Sequence, residues 1–149
     1  MSTAIKPSRI TPFLWFDSNA DDAVDFYLSV FPNSRRHDAS QRAEGKRVQT
    51  VAFELDGQPF IALNGGPAFR FNEAVSFVVR CQSQGEIDRF WDALSAGGSE
   101  GQCGWLKDRY GLSWQVVPAN LGALLSSQAA IDAMLRMRKL DIAALEQAR

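Results

Sequence analysis

Two stretches of the chain, Asn19–Phe31 (NADDAVDFYLSVF) and Ser83–Ser95 (SQGEIDRFWDALS), follow one pattern. In each, an acidic and an apolar residue precede an aromatic pair, which is Phe26-Tyr27 in the first stretch and Phe90-Trp91 in the second. An apolar run precedes each stretch, and a hairpin signal with another apolar run follows it. A repeat of this kind indicates a duplicated architecture.

The first copy predicts a βαβββ module over residues 9–66. Its first strand is expected in the apolar run Ile10–Phe16, and its helix over Ala20–Val30, after three residues with capping side chains. The predicted helix carries one apolar stripe, formed by Ala23, Phe26, Tyr27 and Val30.

Three further strands complete the first module. The polar segment after the helix predicts an exposed edge strand and a loop around Gly45. Val48–Leu55 alternates between apolar and other residues, as a half-buried strand does. Asp56-Gly57 is a strong hairpin signal that leads into the last strand, Pro59–Leu63.

The second copy predicts a shorter module over residues 72–118. Strand Ala74–Cys81 precedes a helix whose Ser83 and Glu86 form a capping box. The stripe of this helix consists of Ile87, Phe90, Trp91 and Leu94. Trp105–Lys107 and Leu112–Val117 are the closing strands, and the limited length leaves room for only a very short strand before them, or for none.

Residues 119–149 form a helical C-terminal arm outside the repeat. It could cover a sheet edge of its own chain or contact a dimer partner, and we expect the first. The whole chain of 149 residues then forms a single domain of two modules and an arm. The fold class is α+β.

Composition restricts the function. A net charge of −1 gives no general field for nucleic acid or an anionic membrane, and no apolar run is long enough to span a bilayer. Two cysteines do not form a disulfide framework, which favours a cytoplasmic protein. The single histidine, His37, rules out a His-rich metal site within one chain.

The chain resembles the vicinal oxygen chelate superfamily, which includes glyoxalase I, extradiol dioxygenases and bleomycin-resistance proteins. It is most similar to the PhnB-like branch, often labelled 3-demethylubiquinone-9 3-methyltransferase. The residues that carry this resemblance are Thr11–Ser34, Glu54–Val79, Glu86–Leu94, Cys103–Pro118 (CGWLKDRYGLSWQVVP) and Ala133–Ala148. The resemblance implies a cup-like mixed sheet with helices outside, and a homodimer.

In metal-using members of the superfamily, four strand positions related by the repeat hold the ion. Aligning the two copies assigns these positions to Pro12, Ile61, Ser76 and Gln115. Catalytic divalent metals prefer imidazole or carboxylate ligands, so we expect neither a metal nor another cofactor. A Rossmann-type methyltransferase site is not expected either, because the glycine cluster Asn64–Pro67 leads into a strand and not into a helix.

The catalytic candidates are weak. Glu54 and Glu73 are the carboxylates nearest to the predicted metal positions, and Glu73 could form an ion pair with Arg70. Cys103 could serve as a nucleophile. A structural role is the more common one for each residue type, since no histidine or aspartate partner for the thiol is apparent.

A ligand pocket is the stronger hypothesis, because aromatic side chains occur together with a few hydrogen-bonding ones. Trp114 is expected in the core, on the side opposite Gln115. We predict a metal-independent protein that binds a small apolar or aromatic molecule. A lyase, isomerase or dioxygenase-like enzyme with a glutamate base, and a structural or regulatory dimerisation domain, remain the alternatives. The predicted pocket residues are Ile61, Asn64, Phe69, Phe71, Asn72, Ser76, Trp105 and Gln115.

Overall fold

A computed structural model describes residues 5–6, 8–37 and 49–148. It divides into two compact units, Met1–Arg70 and Phe71–Arg149. Each unit contains one four-stranded mixed sheet and one long helix that packs on it. The predicted α+β class with two modules is confirmed. The loop predicted around Gly45, and Val48 at the predicted start of a strand, lie outside the described residues.

The first unit has the predicted βαβββ order. In its sheet, the strands are arranged β1-β4-β3-β2, with β1 parallel to β4 and the other pairs antiparallel. The elements are β1 (Phe13–Phe16), α1 (Ala20–Val30), β2 (Arg35–Arg36), β3 (Gln49–Leu55) and β4 (Gln58–Asn64).

The hairpin between β3 and β4 forms at the predicted position. Asp56 and Gly57 both have positive φ, at 47° and 81°, as the type I′ turn of a two-residue hairpin requires. The predicted start of β1 was wrong: the strand begins at Phe13, and Ile10 is 84% exposed. Pro12 precedes the strand, and its carbonyl accepts a hydrogen bond from the Ile61 amide.

The buried side of α1 differs from the predicted stripe. Ala23 and Tyr27 are buried as expected, but Phe26 and Val30 are only half-buried. Ala20, Ala23, Val24 and Tyr27 form the buried side, which follows the i, i+3, i+4, i+7 spacing of one helix face. The prediction was wrong for Phe26 and Val30 because helical spacing places both at the border of the face centred on Ala20, Val24 and Tyr27.

The second unit repeats the arrangement in shorter form. Its sheet has the order β5-β8-β7-β6, again with a parallel pair, β5 and β8. The two residues of β6 confirm that one strand of this module is very short. The elements are β5 (Ser76–Cys81), α2 (Gln84–Ser95), β6 (Ser99–Glu100), β7 (Trp105–Lys107) and β8 (Ser113–Pro118).

Helix α2 begins and packs as predicted. The Ser83 hydroxyl accepts a hydrogen bond from the Glu86 amide at 3.2 Å, which caps the helix. The helix ends at Ser95, and Gly97 follows with φ of 77°. The predicted stripe is buried in full: Ile87, Phe90, Trp91 and Leu94.

The C-terminal arm packs on its own unit. It contains three short helices, α3 (Leu121–Leu124), α4 (Gln128–Leu135) and α5 (Ile142–Gln147). Between α4 and α5, the carbonyls of Met137 and Arg138 accept hydrogen bonds from the amides of Cys103 and Gly104, each at 2.8 Å. Leu140 is fully buried. The arm therefore contacts the segment of its own unit that leads into β7.

Candidate functional site

Each sheet has one face covered by its helix and an opposite face, which we call the distal face. Helix α1 contacts β2, β3 and β4, and α2 contacts β5, β7 and β8. Because side chains alternate along a strand, burial and register assign every strand residue to one face. The distal face of the first sheet includes Phe13, Trp15, Arg35, Ala52, Glu54 and Ile61. The distal face of the second sheet includes Ser76, Val78, Trp105, Lys107, Ser113 and Gln115.

The distal face of the first sheet is mainly apolar. Phe13 lies opposite Ile61 on the neighbouring strand, and Ala52 lies opposite Ile61 on the other side. Its main charged feature among the described residues is an ion pair, in which Arg35 Nε donates to Glu54 Oε1 at 3.0 Å. Glu54 is therefore a paired strand residue, which makes it a poor candidate for a free catalytic base.

The distal face of the second sheet is mainly polar and consists of two short rows across three strands. In the first row, Ser113 of β8 lies between Ser76 of β5 and Lys107 of β7. The second row places Gln115 between Val78 and Trp105. Neighbouring strands lie about 4.7–4.9 Å apart, so the six side chains occupy a patch about 10 Å across.

Two hydrogen-bonding features occur in these rows. Gln115 Nε2 donates to Ser76 Oγ at 2.9 Å, which brings together two of the predicted pocket residues. Ser113 is fully buried, and its hydroxyl has no hydrogen-bond partner among the described residues. Buried polar atoms are nearly always satisfied by protein or by a bound molecule such as water, so this hydroxyl is a candidate for contact with a bound molecule.

Glu73 forms an ion pair with Lys107, and not with the predicted Arg70. The hydrogen bond from Lys107 is the main cause that holds the pKa of Glu73 below its ordinary value. Both side chains are substantially exposed. A carboxylate that stays ionised at lower pH is a weaker base, which counts against a proton-abstracting role for Glu73.

Several other predicted pocket residues have different contacts. Asn64 lies on the helix side of β4, where its Oδ1 accepts a hydrogen bond from the Ala20 amide at 2.8 Å and caps α1. Phe69 packs edge-on against Trp15 with ring centroids 5.0 Å apart, and it is 65% exposed. Asn72 accepts a hydrogen bond from the Ala74 amide in an exposed turn. Phe71 is half-buried at the start of the second unit.

The side chains at the predicted metal positions, and those paired with them in the sheets, do not fit a catalytic divalent metal. The register pairs Ile61 with Phe13, one residue beyond the predicted Pro12, and Gln115 with Val78, two residues beyond the predicted Ser76. Three of these four paired residues have no donor atom in the side chain, and the amide of Gln115 is a weak ligand. Among the residues described, no group of three or more His, Cys, Asp or Glu could hold a metal ion.

The glycine cluster after β4 packs against an aromatic ring and does not form a cofactor turn. The Trp15 indole lies over Gly65 so closely that a Cβ there would overlap the ring, and its Nε1 donates to the Gly66 carbonyl at 2.9 Å. The next regular element is strand β5, not a helix. The strand-to-helix phosphate turn of a Rossmann-type methyltransferase is therefore missing at this place.

The surroundings of the two cysteines favour a structural role over a catalytic one. Burial raises the pKa of the Cys81 thiol to about 11, which leaves it almost entirely protonated at neutral pH. Cys103 is half-buried and has a positive φ of 61°, in the irregular segment that receives the arm. It has no described contact that would activate a nucleophile.

Asp108 is a buried residue that sequence reasoning missed. Its Oδ1 accepts hydrogen bonds from the amides of Tyr110 and Leu112, and its Oδ2 accepts one from Trp114 Nε1 at 2.9 Å. Trp114 is buried on the helix side, as predicted from alternation. The only sequence signal was the position of an aspartate three residues before the Gly111 turn.

The fold resembles those of solved proteins of one superfamily. A PhnB protein from Bacillus cereus is 30% identical and covers 74% of this chain and 99% of its own, with a TM-score of 0.67. Protein PA1353 from Pseudomonas aeruginosa is 21% identical over 75% of this chain and 98% of its own, with a TM-score of 0.59. The fosfomycin resistance protein FosX from Mesorhizobium loti is 12% identical over 82% of this chain and 99% of its own, with a TM-score of 0.60. No curated protein matches the chain.

The two modules and these neighbours define a protein of the vicinal oxygen chelate superfamily. Residues 8–117 match the family described as 3-demethylubiquinone-9 3-methyltransferase. The chain belongs to this family, as the sequence predicted, and it is similar to the PhnB protein described above. No helix in the described ranges has the length and apolar character needed to cross a membrane.

Proposed function

We propose that this protein binds a small apolar or aromatic molecule without a metal, and that the distal face of the second sheet provides the specific contacts. The observation that carries the proposal is the hydrogen-bonded pair Gln115–Ser76 beside the half-buried Trp105. An aromatic surface with a few oriented polar groups is typical of small-molecule sites.

The proposed site is independent of metal because its side chains lack the ligand atoms that a catalytic metal prefers. The first sheet carries Phe13 and Ile61 on its distal face and the second carries Val78, and none of these side chains has a ligand atom for a metal. A glutamate-dependent enzyme has less support, because Glu54 and Glu73 are both held in ion pairs. The proposal also includes a cytoplasmic location and a homodimer. Light scattering measures the molar mass in solution and so tests the homodimer directly.

Titration with a neutral naphthylamine dye tests the binding proposal. We expect saturable binding, and a loss of roughly 5- to 10-fold in affinity in Trp105→Leu because an aromatic contact is removed. Gln115→Leu should also weaken binding, whereas Gln82→Leu, a matched change at an exposed site after β5, should not.

Metal analysis of the purified protein completes the test. Binding that persists after treatment with a chelator supports metal independence. A stoichiometric tightly bound ion, or dye binding that is equal in Trp105→Leu, Gln115→Leu and Gln82→Leu, would contradict the proposal.

A further inference from the structure

Three hydrogen-bond donors are aligned in one row of the second distal face. Lys107 carries an ammonium group, and Ser113 next to it carries a buried hydroxyl without a partner in the described chain. Ser76 accepts from Gln115, so its own hydroxyl proton remains available for donation. Ser76, Ser113 and Lys107 therefore form a row of hydrogen-bond donors, which we call the donor row.

The acceptor that the structure supplies is the carboxylate of Glu73, which contacts Lys107. Glu73 lies in the turn before β5, and its side chain is 59% exposed. Exposed ion pairs are weak because water competes for both charges. An anion that also reached the serine hydroxyls would form charge-assisted bonds that Glu73 does not make, and could replace it.

We infer that the ligand of the proposed function carries a carboxylate, which displaces Glu73 from Lys107 and accepts hydrogen bonds from the donor row. This inference rests on the proposed function and specifies its ligand class as aromatic or apolar carboxylic acids. Trp105 and Val78, in the neighbouring row, contact the apolar body of the ligand. Glu73 acts as an internal competitor for the same cation.

Naphthoate and its neutral amide, naphthamide, distinguish this inference from the proposed function, because they share one aromatic body. By calorimetry, we expect naphthoate to bind on the order of tenfold more tightly than naphthamide. Lys107→Met should remove this difference. Glu73→Gln should strengthen naphthoate binding severalfold and leave naphthamide binding unchanged, while Glu146→Gln on α5, the control, should change neither.

Ser113→Ala provides a readout that a purely structural residue would not give. Removing a buried hydroxyl without a partner should leave the urea midpoint of the free protein unchanged or raise it, yet weaken naphthoate binding severalfold. Equal binding of naphthoate and naphthamide would overturn the inference and leave the proposed function standing. Binding of neither probe would contradict both.

Discussion

The two distal faces differ, whereas the two helix-covered faces are alike. On the helix side, both sheets bury apolar residues, such as Phe53 and Phe60 in the first and Leu106 and Val116 in the second. On the distal side, Ile61 of the first sheet corresponds to Gln115 of the second. Packing against a helix restricts one face of each copy, and the other face is free to acquire different chemistry.

The third strands of the two modules, β3 and β7, also differ in regularity. Strand β3 has seven residues, whereas β7 has three and is preceded by Cys103 and Gly104, both with positive φ. The irregular segment lets two amides bond to the arm, which has no counterpart among the described residues of the first unit.

Gly104→Ala should destabilise the second unit most. A Cβ at Gly104 would lie 2.8 Å from the Val116 carbonyl oxygen, and φ is 84°. We expect a loss of about 3 kcal/mol or more in the free energy of unfolding, from backbone strain and overpacking together.

Gly111→Ala is the matched control, because Gly111 has a φ of 86° with open space around it. It should cost about 1 kcal/mol. Equal losses in urea unfolding would show that the contact with Val116 is unimportant.

The variant Asp108→Asn tests whether the turn of the second hairpin, unlike that of the first, depends on a buried carboxylate. The first hairpin closes with the Asp56-Gly57 turn, whose Asp56 amide donates to the Ser34 hydroxyl in an exposed hydrogen bond, but the second is held by a buried carboxylate with three donors. An amide cannot accept from all three, so we expect a loss of about 2–3 kcal/mol. Asp132→Asn, on the exposed side of α4, should change stability by less than about 0.5 kcal/mol. Similar unfolding midpoints for the two variants would refute this role of Asp108.

The two helices are capped by different means, which should have similar energetic value. Helix α1 receives its cap from Asn64, distant in sequence, and α2 from the neighbouring Ser83. Asn64→Ala and Ser83→Ala should each cost about 1 kcal/mol in urea unfolding. If Asn64→Ala left stability unchanged, the assignment of Asn64 to the helix terminus would be wrong.

The sequence predicted the fold well where local signals and the repeat agree. The bounds of α1 and β7, the Asp56-Gly57 turn, the Ser83 cap of α2 and the brevity of one strand were all predicted correctly. The start of β1 was not, because Ile10 is apolar and yet exposed, which composition alone cannot reveal.

The site was harder to predict because its residues depend on long-range register. Aligning the repeats gave Ile61 and Gln115, but it gave Pro12 and Ser76 where the ladders have Phe13 and Val78, since the strand-to-helix connections of the two copies differ in length. Asn64 looked like a pocket residue because nothing local shows that it caps a helix 44 residues earlier. The burial of Ser113 and the pairing of Glu73 with Lys107 also depend on tertiary packing.

An amide NMR titration with naphthoate tests most directly the claim that ligand recognition belongs to the second distal face. We predict that the amide signals of Ser76, Lys107 and Ser113 shift in proportion to occupancy, and that the Ser113→Ala variant requires severalfold more naphthoate for the same shift. Unchanged signals at all three residues at saturating naphthoate would contradict the account.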